Sequence, residues 1–572
     1  MKRTIYAGNV SVEHVGENVT IKGWVQKIRN HGGVLFVDVR DREGVVQTVW
    51  PDFFNSIHAD LLVAIKPEEV VEISGSVRRR PEESVNHQMK TGEVEILGSD
   101  IIRISSTLPL PFEISREIQV KESLRMKYRY LDLRRESLSK NIFFRSKISK
   151  LVRDFFHRNG FIEVETPLIV KYTPGGARNF LIPSRLFTGK FFALAESPQI
   201  YKQLLMIANF DKYFQLSKCF RDEDPRSDRQ IEFTQIDVEM SFIDELEVMR
   251  LIEDLFYVLW KEILNIELVQ PYKILTYHEA ICRYGTDKPD LRFGLEIEDL
   301  TSIFQHSTFQ YLREASFVGG IICRKASKIS RKYLQGYDEF IKSQGGKGVK
   351  VFKLDEEEKD PEVFKVLKTK YYFQPGDLLL VMGGEKFHSL ELLGLLRKNI
   401  IEVENIIPDK EFELVWVVDF PLFELNNEGN ITSKHHPFTS PLVEDIPLFS
   451  TNPLMMRARS YDIVVNGVEL GGGSIRIISR DIQQEVFKTL GLSDKDIEEK
   501  FGFLLKALSF GAPPHGGIAL GFDRLVAILL GEESIREVIA FPKMTSTYDP
   551  LTDAPSEVEY QQLKNLHIKV EE

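Results

Sequence analysis

The chain has 572 residues, 43% hydrophobic and 28% charged, with a formal net charge of −11 at neutral pH. That length allows about four domains with a large core, and the composition is that of an ordinary soluble globular protein. The acidic balance excludes a uniformly basic nucleic-acid coat, but not local basic patches that hold RNA. No apolar run approaches the roughly 18 residues of a membrane helix. The opening MKRTIYAGNV lacks the apolar centre of a secretion signal, so a cytoplasmic protein without a membrane partner is expected. Cys219, Cys282 and Cys323 are odd in number and far apart, which argues against a disulfide framework or a zinc site.

In chain order, residues 1 to 105 contain five strand-like runs: VTIKGWVQKI, GVLFVDVRD, GVVQTVW, EVVEISGSVRRR and EVEILGSDIIRI. Short strands at this spacing predict a small β-barrel of the oligonucleotide-binding type. Alternation in VLFVDVR puts Leu35, Val37 and Val39 on one face and Phe36, Asp38 and Arg40 on the other. A phenylalanine on the polar face suits base stacking, or else is a stray surface aromatic over a second small core. Arg78, Arg79 and Arg80 read either as a solvated edge or as contacts to a phosphate backbone. Residues 106 to 136 hold LPLPF and KYRYLDLRR, a proline-stiffened hinge entering a basic helix. From Ser137 to Asn159 apolar residues recur at helical spacing, with Gly160 as the stop.

The stretch FQLSKCFRDEDPRSDRQIEFTQIDVEMSF, Phe214 to Phe242, predicts two antiparallel strands around a long charged loop, with Arg221 and Glu223 at its mouth. By itself such a loop reads equally well as solvated surface. Cys219 has no activating base nearby in sequence and reads as a small buried residue. Residues 288 to 411 carry their own helix and strand patterns and no catalytic signature, the mark of an inserted domain. Further on, FELVWVVDFPLF reads as buried strand, SYDIVVNGVELGGGSIRI as strand, turn and strand, and SEVEYQQLKNLHIKV as a closing helix. In GGIALGFDRLVAILLG a strand passes through Gly521 into a helix that opens with Asp523 and Arg524, which puts Arg524 at the positive end of the helix, where anions bind. No GxxxxGK[ST] loop or GxGxxG spacing occurs, so a P-loop or Rossmann reading is excluded. The whole predicts an α+β protein.

Three of these stretches carry a resemblance. FRDED with RQIEFTQID resembles motif 2 of the class II aminoacyl-tRNA synthetases, GIALGFDRL resembles motif 3, and FIEVETPLI, with Pro167, resembles motif 1, in the family's order. GGARNFLIPSR, SPQIYKQLLM, YGTDKPDLRFG, HHPFTSP, NGVELGGGSIRI and IREVIAFPK are similar to the bacterial type of aspartyl-tRNA synthetase, so the likeness runs to about Ile568. It implies an OB-fold anticodon-binding domain (1–105), a hinge (106–136), an antiparallel-sheet catalytic domain in two parts (137–287 and 412–572) and an inserted α+β domain of bacterial type (288–411). It also implies a homodimer through motif 1, L-aspartate, ATP and Mg²⁺ as ligands, tRNA(Asp) as partner, and no role for DNA.

The resemblance assigns roles residue by residue. Arg221 would hold the α-phosphate, Glu223 the adenine side and Arg524 the γ-phosphate; Phe233 would stack on the purine, and Asp222, Gln230, Gly521, Phe522 and Asp523 would add ATP contacts. Asp462 and Glu469 match the metal-binding carboxylates, with Glu469 also at the ATP. Arg476 would read the substrate's side-chain carboxylate with the bidentate fork that suits such a group, beside Lys202. Gln199, Asp237 and His435 would line the rest of the aspartate pocket, which Arg221 also reaches. In the barrel, Arg29, Phe36, Gln47 and Glu95 fall where the anticodon is held. Outside the family, Asp462 and Glu469 would read as ordinary strand-end acids, and His435 as structural.

Three positions depart from the family pattern. TPGGARN has Gly175 and Asn179 where the family has glutamate and aspartate, and Glu196 stands for a glutamine, which leaves open whether Glu196 restores the lost charge. His31 and Glu83 replace the leucine and lysine of enzymes confined to one tRNA, so relaxed specificity that includes tRNA(Asn) is expected. The rivals are a discriminating aspartyl enzyme confined to tRNA(Asp), an asparaginyl- or lysyl-type synthetase, and an inactive RNA-binding relative.

Overall fold

A computed structural model describes residues 2–114, 119–172, 178–324, 331–353 and 360–571. The chain divides into two compact units, Met1–Ser137 and Leu138–Glu572.

The first unit is a closed barrel of five strands: β1 (Asn18–His31), β2 (Val34–Asp41), β3 (Gly44–Trp50), β4 (Val70–Arg79) and β5 (Val94–Ser105), in the order β1-β2-β3-β5-β4. The predicted alternation holds. Leu35, Val37 and Val39 enter the barrel core with Ile21, Val46, Ile73 and Ile96, while Phe36 stays half-buried on the outer face. The arginine run is not uniform: Arg78 pairs with Glu95 at 2.8 Å, Arg79 is exposed, and Arg80 is buried, donating Nε to the carbonyl of Val94. Arg78 and Arg79 are the exposed end of β4, and Arg80 lies just past it. The expected basic helix of the hinge is broken at Tyr128 into Glu122–Lys127 and Arg129–Asp132. Arg125, Arg129 and Arg135 turn onto Asp132, which is fully buried. A buried carboxylate requires such partners.

The second unit is built on a mixed sheet of eight strands: β6 (Ile162–Glu163), β7 (Lys212–Phe220), β8 (Glu232–Ser241), β9 (Lys273–Thr276), β10 (Leu414–Val418), β11 (Ser460–Val465), β12 (Val468–Ile475) and β13 (His515–Gly521). The order is β9-β10-β11-β12-β13-β8-β7-β6. Only the outer pairs, β9 with β10 and β7 with β6, are parallel. The central strands are antiparallel, as the hairpin reading required. One face carries Ile236, Val238, Ile463 and Ile518 into the main core, against Ile252, Phe256 and Trp260 of the helix Glu245–Leu264. That helix starts on an Asp244–Glu247 capping box and stops at Asn265 in the left-handed region, φ 58°. Each such side chain contributes about 1.5–3 kcal/mol by leaving water, so this face anchors the sheet and frees the other.

The helix expected from Ser137 runs Glu136–Arg158. A second sheet, of four antiparallel strands (Ile297–Asp299, Phe317–Cys323, Lys350–Lys353 and Leu378–Gly384), forms within residues 297–384 and has a core on each face. The DEEEKD stretch lies outside the described residues except for Asp360. The closing helix is only Tyr560–Asn565 and buries nothing, because no apolar stripe in it meets the core. Among the described residues no helix is long and apolar enough to cross a membrane.

Candidate active site

Alternation along β8 explains the free face of the sheet. Ile236, Val238 and Met240 point into the core, so Gln235, Asp237 and Glu239 point the other way. Strand register then sets a row across five strands, Gln215–Asp237–Ala519–Gly472–Asp462. Two acids stand on it, separated by the small residues Ala519 and Gly472. These form a floor: a Cβ at Gly472 would lie 2.1 Å from Asp462 Oδ1, and one at Gly517 would lie 2.3 Å from Glu239 Oε2. The glycine run of NGVELGGGSIRI is therefore a strand without side chains and not a phosphate loop. The β11–β12 turn is Asn466–Gly467, with φ of 52° and 78°, the left-handed pair that a two-residue hairpin takes.

Above this floor lies a cavity of about 870 Å³. Every residue singled out in this unit for ATP, aspartate or metal lines it except Asp222 and Phe522. Asp222 pairs with Arg178 at 3.0 Å, and Phe522 is buried in the core with the Arg145 guanidinium 4.7 Å from its ring. Asp523, which lines the cavity, accepts the Thr234 N–H at 2.8 Å and pairs with Arg145 at 2.6 Å. The Gln230 amide is tied to the Lys543 backbone at 2.7 and 3.2 Å. Both residues fasten the hairpin to its neighbours.

One end of the cavity holds a buried quartet. Lys202 lies 3.2 Å from Asp237 and 3.4 Å from Glu239, while Arg476 closes its fork on Glu239 at 2.8 and 3.0 Å. Arg476 Nη1 also donates to Ser474 Oγ and His436 Nε2, at 2.6 and 2.7 Å. Four of its five N–H groups are thus engaged. The free fork expected of Arg476 is occupied by Glu239, a residue the sequence reading missed. Burial raises the pKa of Asp237 against the pull of Lys202, whereas Glu239 is held below the ordinary value because Arg476 and Lys202 outweigh its burial. Burial and Arg476 push His436 far down, so it is neutral. Among the described residues, two buried atoms here have no hydrogen-bond partner, Asp237 Oδ2 and Gln199 Nε2.

The other end holds the arginines. The Arg221 guanidinium stands 5.1 Å over the Phe233 ring, with Nε buried and unpartnered among the described residues. Arg524 Nη2 lies 3.1 Å from Asp228 and its Nη1 donates to the Glu469 carbonyl. Glu223 meets Arg229 at 3.5 Å. Between the two ends, His435 Nε2 lies 3.1 Å from Asp462 Oδ1, and Lys288 lies 2.7 Å from Glu469 Oε2. Among the described residues no cluster of three or more His, Cys, Asp or Glu is placed to hold a metal. The row of Gly521 and Gln235 is four residues from that of Gly517 and Glu239, about 13 Å at strand rise.

The family model for class II tRNA synthetases (D, K and N) matches residues 121–545. The chain belongs to that family. A second model, for OB-fold nucleic-acid-binding domains, matches residues 19–104, the barrel. The synthetase is 47% identical to the aspartate–tRNA(Asp/Asn) ligase of Aquifex aeolicus strain VF5, over 100% of this chain and 98% of that protein. It is also 47% identical to the ligase of the same name from Thermoanaerobacter pseudethanolicus, over 100% and 99%. Its fold is that of the Pyrococcus horikoshii asparaginyl-tRNA synthetase complexed with asparaginyl-adenylate (TM-score 0.61, 18% identity, 95% of this chain and 98% of that one). The aspartyl-tRNA synthetase of Entamoeba histolytica is similar (TM-score 0.58, 19% identity, 95% and 91%).

Elsewhere in the synthetase, Glu196 and Asn179 line the cavity, and Gly175 lies outside the described residues. Cys219 is buried, which pushes its thiol pKa up, the opposite of an activated thiolate. In the barrel, Arg29 Nη2 donates to Asp38 at 2.6 Å and to Gln47 at 3.0 Å, and Gln47 donates to Glu95 at 2.8 Å. Phe36 is the cross-strand partner of Arg29. His31 is exposed, with its ring 6.1 Å from that of Phe36 in an edge contact, and Glu83 is exposed on a short turn.

Proposed function

We propose that this synthetase is an aspartate–tRNA ligase: L-aspartate and ATP give aspartyl-adenylate and pyrophosphate, and the aspartyl group then passes to the terminal ribose of tRNA(Asp) and of tRNA(Asn). The observation that carries this reading is the two-ended cavity. An amino-acid end of buried ion pairs and a nucleotide end of arginines open into one cavity over a glycine-lined floor, an arrangement suited to an aminoacyl-adenylate.

In-line attack of a carboxylate on the α-phosphate depends on positioning and charge neutralisation. Asp237, with its free Oδ2, takes the substrate ammonium together with Gln199. Lys202 and the remaining N–H of Arg476 face the side-chain carboxylate, and His435 lies over the substrate. Arg221 neutralises the α-phosphate and Arg524 the γ-phosphate. Phe233 stacks on the adenine, with Glu223 on the adenine side. Asp462 and Glu469 would hold Mg²⁺: both present hard carboxylate oxygens on adjacent strands that line the cavity, and a Cβ at Gly472 would fill the space at Asp462 Oδ1, the oxygen that His435 Nε2 meets at 3.1 Å. When bound, Mg²⁺ would spread the charge of the triphosphate.

In the first unit Arg29, Phe36, Gln47 and Glu95 hold the anticodon, and His31 and Glu83 relax discrimination of its third letter. Residues 288–411 form the inserted domain. The protein acts in the cytoplasm as a homodimer through the helix Glu136–Arg158 and β6, a reading supported by the apolar surface left open at Phe143, Ile162, Leu168 and Ile169. Amino-acid-dependent pyrophosphate exchange tests the reaction. Exchange with L-aspartate and not with asparagine or lysine is the expected result. Exchange with asparagine or lysine instead would favour the rival synthetases, and exchange with none an inactive RNA-binding relative.

A further inference from the structure

Lys288 has no assigned role, yet its ammonium lies 2.7 Å from Glu469 Oε2 and it lines the cavity. It is not a loose surface lysine that happens to reach an acid. Pro289 follows it, which restricts Lys288 to extended backbone, and its N–H is bonded to Thr286 Oγ1 at 3.1 Å. The same loop is held from below by Arg397, a buried residue of the helix Lys386–Val403. One nitrogen of Arg397, Nη2, donates to the carbonyls of Asp290, Phe293 and Gly294 at 2.7, 2.9 and 3.0 Å. The side chain of Asp290 lies against the Asn466–Gly467 turn, where a Cβ at Gly467 would come within 3.0 Å of it. Residues 288–411 thus supply the frame that delivers one cation to the rim of the site.

We propose that Lys288 is a built-in counter-ion of Glu469 which a divalent cation must displace, so that the free synthetase binds the cation weakly and takes it up with the triphosphate. This rests on the assignment of Asp462 and Glu469 as the cation's carboxylates. The ammonium occupies the oxygen that a cation would use, and its charge repels a dication over the few ångströms between them. With the ammonium in place, Glu469 is already neutralised; ATP brings four negative charges that can draw Lys288 away and the cation in. The arrangement gives the inserted block a part in the order of ligand binding.

The test is Mn²⁺ binding to the full-length, nucleotide-free protein at low ionic strength, read from the electron paramagnetic resonance signal of free Mn²⁺. Lys288→Met, which keeps the side-chain volume and removes the charge, is expected to bind Mn²⁺ about tenfold more tightly than the wild type. Lys288→Arg is expected to stay near the wild type, and Glu469→Gln to weaken binding. If Lys288→Met leaves affinity unchanged or lowers it while Glu469→Gln weakens it, Lys288 is no counter-ion and the carboxylate assignment stands. If Glu469→Gln has no effect, the carboxylate assignment fails and this inference with it.

Discussion

A methyl group at position 472 would meet Asp462 Oδ1 at 2.1 Å. Gly472→Ala is therefore expected to lower the rate of aspartate-dependent pyrophosphate exchange by about 100-fold, the scale of a misplaced reacting group, with little change in melting temperature. Exchange at the wild-type rate would mean that the floor has room the geometry denies. Glu239→Gln acts differently, because it leaves Arg476 and Lys202 buried without their shared anion. Breaking such a pair costs about 3–5 kcal/mol, which chemical denaturation at pH 7 would register. Glu239 titrates below its ordinary value of 4.5, so its stabilisation is complete at neutral pH. It fades as the pH falls from 4.5 through the lowered folded value, and the gap between wild type and variant should narrow in acid. A gap independent of pH would mean that Glu239 does not stabilise the fold through its charge. Arg221, Asp237, Asp462 and Arg476 were legible because each sits in a stretch similar to known synthetases. Glu239 stands two residues from Asp237 on the same strand face, so alternation alone could have found it. Lys288 was not legible, since its partner is 181 positions away and no local pattern couples them.

At the scale of elements, period-two alternation was enough to predict the barrel face and the sheet face, because one side of each strand is buried and the register is thereby set. In β2 it put Phe36 outside beside Arg29 and Asp38. Phe36→Ala is expected to raise KM for tRNA by about 5- to 150-fold, the value of one stacked base, while pyrophosphate exchange without tRNA stays as it is. A loss of exchange would place Phe36 in the stability of the protein and not in RNA contact. Helix readings fared less evenly. The helix Glu136–Arg158 was legible from its apolar spacing, but the stretch after Ser556 yields only Tyr560–Asn565, since helix-forming residues without a buried face gain little from tertiary packing. The charged loop after β7 was also ambiguous: Gln230 at its end lines the cavity, and its side chain also ties the loop to the Lys543 backbone.

For the whole molecule, a common physical theme is that a free site neutralises itself. Arg524 faces Asp228, Arg229 faces Glu223, Lys288 faces Glu469, and Arg476 and Lys202 face Glu239 and Asp237. Under the proposed reaction each substrate charge would replace or complete one of these pairs, and a poorly matched amino acid would leave a buried ion without a partner. At the barrel, the proposed relaxed reading of the anticodon rests on His31 and Glu83. The decisive measurement is aspartylation of purified tRNA(Asp) and tRNA(Asn) at matched concentration and salt. Comparable kcat/KM for the two is the predicted result. Strong preference for tRNA(Asp) would contradict the relaxed reading of His31 and Glu83, and no aspartylation of either would contradict the ligase itself.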